Sequence, residues 1–99
     1  MKGALFRLCL HRAAGRARRK ELITTEQYRS LRGFYRRGSS DDFEDVQAFV
    51  IDEAIRQGVV DADAVPAEDG DDRDWAGFFA ALAEFFEKIL PLILSLFSL

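Results

Sequence analysis

Cys9 and His11, two positions apart near the start of the chain, are the residues best suited to hold a soft metal. They are also its only cysteine and its only histidine. No further Cys or His exists to complete a zinc site, and a lone cysteine forms no intrachain disulfide. There is no Gly-rich phosphate loop, no nucleophile beside the one His, and no helical carboxylate pair in an evident pocket. The sequence therefore predicts no enzyme, no metal, no cofactor and no small-molecule substrate. The chemistry left to it is that of charge and of apolar surface.

Both are unevenly spread. Residues 1–38 carry eleven Lys/Arg against Glu21 and Glu26, a charge of +9, while residues 39–99 carry -12, leaving -3 overall. Arg16, Arg18, Arg19, Lys20, Arg29, Arg32, Arg36 and Arg37 are candidate contacts for phosphate or lipid headgroups, with Tyr28 and Tyr35 available for stacking. A basic surface of this kind suits nonspecific nucleic-acid binding. It equally suits an anionic membrane leaflet, and a plain solvated face explains it as well.

The apolar end is "WAGFFAALAEFFEKILPLILSLFSL", residues 75–99, in which thirteen of 25 residues are Phe, Leu or Ile. As one helix it is about 37 Å long, enough for a hydrocarbon core of about 30 Å. Glu84, Glu87 and Lys88 oppose insertion by about 7–10 kcal/mol, and the large apolar residues offset about 4–8 of that. Glu84 and Lys88, four apart, can pair and lower the cost. The small and polar residues Gly77, Ala81, Glu84, Lys88, Pro91, Ser95 and Ser98 fall on one seam of heptad period, with Glu87 off it. Trp75, Phe78, Phe79, Phe85, Phe86, Leu90, Ile93, Leu94 and Phe97 make up the greasy surround. A soluble coiled coil has the inverse pattern. A polar seam in an apolar surround is what a helix shows when it self-associates in lipid, where Pro91 is also easier to place. The sequence thus predicts a membrane-associated, self-associating tail, either spanning or lying in the interface with Trp75 at headgroup level. The alternative is the central helix of a soluble bundle. Because the rest of the chain offers few large apolar residues to cover it, that version calls for a homo-oligomer.

Beyond these two regions the whole pattern is helical, with no strand-like alternation of any length. Residues 1–21 hold an apolar run of about six residues interrupted by Arg7, too short for a secretory signal. They are Arg-rich and acid-poor, as transit peptides are, and read as a solvated basic helix. Residues 22–60 read as an αα-hairpin. Thr24 and Gln27 form a capping box, and Ile23 and Tyr28 stand at the positions of a hydrophobic staple. Tyr28, Leu31 and Tyr35 share a face beside Phe34. Gly38 stops the first helix, and Ser39 or Ser40 starts the second with Asp41, Asp42, Glu44 and Asp45 at its positive end. Phe43, Val46, Phe49, Val50 and Ala54 are its predicted buried stripe, and Gly58 its C-terminal stop with Val59 as the apolar contact. Phosphates would repel the acids of that second helix, which argues against its reading a DNA groove. Residues 61–74, "DADAVPAEDGDDRD", read as a flexible acidic spacer.

The segment "RRKELITTEQYRSLRG" (18–33) resembles a pattern in short proteins of bacteriophages and mobile elements: Ile-Thr, then Gln-Tyr-Arg, then Leu-Arg-Gly. Ile23, Thr24, Gln27, Tyr28, Arg29, Leu31, Arg32 and Gly33 carry it, about a sixth of the chain. The closing apolar segment is similar in style to tails from compact phage genomes. The resemblance implies a phage or prophage accessory protein and supplies no activity or functional residues. The expectation is an all-α, phage-type protein, membrane-associated with a cytoplasmic soluble part, permeabilising as a holin would. A cytoplasmic helical scaffold and a nonspecific nucleic-acid binder are the alternatives.

Overall fold

The structure, a computed structural model, describes residues 2–97, with side chains from 3 to 97; the Ser98 assignment lies outside them. It is all-helical. Among the described residues five α-helices run α1 Lys2–Arg19, α2 Thr25–Arg37, α3 Ser40–Arg56, α4 Asp72–Ala81 and α5 Ala83–Leu96, with a short 3-10 turn at Ala62–Ala64.

The middle of the chain is built by local chemistry. Thr24 Oγ1 accepts from the Gln27 amide at 3.0 Å and the Gln27 side chain accepts from the Thr24 amide at 2.8 Å, closing the capping box of α2. Ser39 and Asp42 repeat the device at α3, at 3.1 and 2.9 Å. Between them Gly38 lies where a Cβ would come within 2.9 Å of both the Phe34 and Phe43 rings, so only glycine lets α2 and α3 turn this closely. At the end of α3, Gly58 adopts φ +74°. Its amide reaches the Ile55 carbonyl at 3.0 Å, and the Val59 amide reaches Ala54 at 2.8 Å, the paired bonds of a Schellman stop. Val59 itself is exposed, and Val60 makes the apolar contact instead.

α2 and α3 do not form a self-contained hairpin. They meet through Phe34, Tyr35 and Phe43 beside the turn, and otherwise each packs on α1 and α5. α1 is the element that differs most from expectation. Phe6, Leu10, Ala13, Ala14 and Ala17 are all buried, and α1 touches every other α-helix. The spacing 6, 10, 13, 17 is a helical stripe, and Ala13 and Ala17 within it, with Ala14 beside it, let neighbouring helices approach closely.

The tail is two helices rather than one. Leu82, at φ -94° and ψ 6°, breaks the run between α4 and α5. At 1.5 Å per residue these span about 15 and about 21 Å, and no helix among the described residues is long and apolar enough to cross a membrane. The expected spacer is also shorter and better anchored than its composition suggests. Asp71 caps α4 through the Arg73 amide at 3.0 Å, and Asp72 and Asp74 lie at the positive end of that helix. The buried Trp75 donates its indole N–H to the Ala67 carbonyl at 3.0 Å, and Val65 packs on the core, so the segment is strapped down.

Candidate polyanion-binding face

The residues assigned to lipid are the core of this fold. Trp75, Phe78, Phe79, Phe85, Phe86, Leu90, Ile93 and Leu94 are buried, and Phe97 is half-buried against Phe49 at 5.9 Å between ring centroids. Phe6 of α1 stands at 5.7 Å from Phe79 and 5.8 Å from Phe86, joining the two ends of the chain in one aromatic cluster. The seam Gly77, Ala81, Glu84, Lys88, Pro91 and Ser95 is exposed. Within this chain it is the outer stripe of α4 and α5. Glu84 and Lys88 make no ion pair with each other.

The exception to the seam carries the polar chemistry of the core. Glu87 is 4% exposed. Its two carboxylate oxygens accept from Lys20 Nζ and Arg16 Nε, each at 2.8 Å. The Lys20 and Arg16 hydrogen bonds hold the Glu87 carboxyl below its ordinary pKa, against the opposing effect of burial. Two of the eight basic residues singled out in the sequence are thereby spent on structure, clamping the end of α1 to α5.

The other six remain at the surface. Arg18 of α1 and Arg32 of α2 converge on one ring: their guanidinium carbons stand 5.4 and 5.9 Å from the Tyr28 centroid. Each contact is worth about 0.5–1 kcal/mol at an exposed site, enough to bias where the guanidinium points while its donors stay free. Arg29, Arg32 and Arg36 recur at three- and four-residue intervals and form one stripe on the outer side of α2. Arg19 and Arg37 fold back toward Gly15 and Gly33 of their own helices.

Two further side chains join this surface, and the charge pattern alone does not point to them. His11 stacks on Tyr35 at 4.7 Å, and Arg7 covers Phe43 at 4.3 Å. Arg7, His11 and Arg18 share one side of α1, so the 7, 11, 18 spacing is the signal that the sequence offers. Each places a nitrogen-bearing plane on an aromatic ring from a neighbouring helix. The result is a basic face on α1 and α2, bordered by Phe43 of α3, on which several nitrogen-bearing side chains lie against aromatic rings. Acids lie largely elsewhere, on α3, on 61–71 and at the start of α4.

No protein family matches this chain, and neither a curated protein nor a solved structure is similar to it.

Proposed function

We propose that this protein is a non-enzymatic binding module that holds the phosphate backbone of nucleic acid on the α1–α2 face, without reading base sequence. The observation that carries this reading is the convergence of Arg18 and Arg32, from two different helices, on Tyr28. Arg29 and Arg36 extend the same surface. Of the residues that carry the phage-like resemblance, Tyr28, Arg29 and Arg32 lie on this face, and Arg18 falls within the same segment, so the two sets overlap in part. The acidic α3 and the segment after it would repel phosphate and keep the contact to one side.

Fluorescence anisotropy with a short labelled duplex over a salt series tests this. Binding is expected at low salt, with an affinity that falls steeply as salt rises. In the double variant Arg18→Gln/Arg32→Gln the log–log salt slope should shrink by about 2, near one unit for each phosphate no longer neutralised. Absence of any binding at low salt would end the proposal. The tail-anchored, permeabilising reading draws on the same α4–α5 residues that this fold keeps inside. Dye release from anionic liposomes would favour it over the nucleic-acid reading, and none is expected.

A further inference from the structure

The N-terminal turns of α1 and α3 enclose a partly open cavity of about 270 Å³, lined among others by Gly3, Arg7, Ser40, Phe43, Glu44 and Gln47. It lies away from Arg18 and Arg32, and Arg7, at the far end of the basic face, is the one cation the two share. Arg7 is fixed there by Phe43 beneath its guanidinium and by one long hydrogen bond, 3.3 Å, to Ser40 Oγ. A guanidinium has five N–H donors, so most of its capacity is unused. Glu44 lines the same cavity, yet the two opposite charges form no ion pair. Gln47 is a third polar wall, 7% exposed and without a side-chain hydrogen bond to any described residue. Among the described residues no fully enclosed polar side-chain atom lacks a partner, so the Gln47 amide keeps some solvent contact, and Gln47 borders both this cavity and the groove beside Val65 and Trp75. The rest of the lining is mainly apolar, with Phe43 at its base and glycine at its rim.

A cation and an anion facing one small, mainly apolar space without pairing are complementary to a ligand that carries both charges. We propose that this cavity binds a small zwitterion of the α-amino-acid class with an aliphatic side chain. Its carboxylate takes the free donors of Arg7, a geometry that permits two parallel bonds. Its ammonium meets Glu44, and its side chain lies between Phe43 and the Gly3 turn. The volume falls below the range of drug-sized pockets, which limits the ligand to about the size of leucine.

The test is a two-dimensional NMR titration of the full chain with L-leucine. Saturable shifts are expected at the Gln47 side-chain amide and the Gly3 amide, with a dissociation constant on the order of 1 mM. Leucinamide, which lacks the carboxylate, and 4-methylpentanoate, which lacks the ammonium, should each bind at least about tenfold more weakly. Glu44→Gln should weaken leucine by a similar factor and leave 4-methylpentanoate unchanged. Gly3→Leu is the blocking variant: a Cβ at Gly3 meets nothing within 4 Å, and leucine is the better helix former, so the fold persists while the cavity fills and the shifts disappear. Three results would each overturn the proposal: no saturable shift with leucine, equal affinity for all three compounds, or undiminished leucine binding in a folded Gly3→Leu variant.

Discussion

α1 and α5 are near-inversions of each other. α1 is a basic cylinder with one thin apolar stripe of Phe6, Leu10, Ala13 and Ala17; α5 is an apolar cylinder with one thin polar stripe of Glu84, Lys88, Pro91 and Ser95. Taken alone, α1 has the pattern of a solvated helix and α5 that of a lipid-bound one. Packed together, the alanine stripe of α1 lets the wide apolar arc of α5 approach closely, and α2, α3 and α4 cover what α1 leaves open. The comparison teaches that the width of an apolar arc does not name the medium around it. A wide arc in lipid and a wide arc at the centre of a small bundle are indistinguishable until the partner helices are identified, and here the partner hid in the most basic part of the chain.

The strongest way to break this comparison is Phe86→Ala. Phe86 is fully buried where the two ends of the chain meet, so its loss should cost about 3–5 kcal/mol. That is a large share of the about 5–15 kcal/mol typical of a domain, and thermal melting followed by circular dichroism should show partial or complete unfolding. A Phe86→Ala protein that melts like the parent would mean the ring is not in a core.

Glu87→Gln sharpens the comparison at the polar clamp. Arg16 is about one-third exposed and Lys20 more than half, so screening limits the loss to about 1–2 kcal/mol. The pH dependence has a definite sign. A carboxyl whose folded pKa is depressed contributes stability above its unfolded pKa of about 4.3 and loses it as pH falls through the folded value. The parent should therefore lose more melting temperature than Glu87→Gln between neutral pH and about pH 4. Parallel curves would remove the clamp from the account.

The smallest expected effect is on the seam. Lys88→Gln and Ser95→Ala alter exposed positions and should each shift stability by no more than about 0.5 kcal/mol, with no change in the mass measured by light scattering. A change of oligomeric state on either substitution would restore the seam as a self-association surface.

What was legible in the sequence was mostly local. Thr24–Gln27, Ser39, Gly38 and Gly58 fix helix ends through bonds within a few residues, and each acts where its type predicted. Of the stripe Phe43, Val46, Phe49, Val50 and Ala54, equally plain from its period, all are buried but Phe49, which is half-buried. What was not legible was everything that depends on a partner distant in sequence. Glu87 stood out only as a departure from the seam, and its cations lie 67 and 71 positions away. The break at Leu82 has no Gly or Pro to announce it, while Pro91, the obvious breaker, lies within α5 with its ring exposed. For the candidate face, the sequence named Arg18, Arg32 and Tyr28 without their meeting, and named Arg16 and Lys20 for a ligand when they serve the core. Helical spacing places residues on a face; it does not decide which of several similar arginines finds an internal acid.

The Arg16–Glu87 contact also bears on how the chain comes into being. A ribosome adds about 5–20 residues per second, so with 71 positions separating the two partners, α1 emerges about 4–14 s before the glutamate that clamps it. Throughout that interval its alanine stripe has no α5 to cover it, and α2 and α3 can offer only part of their final setting. The clamp on α1 therefore closes only after α2, α3 and α4 have been made, so α1 is locked later than its place in the order of synthesis suggests.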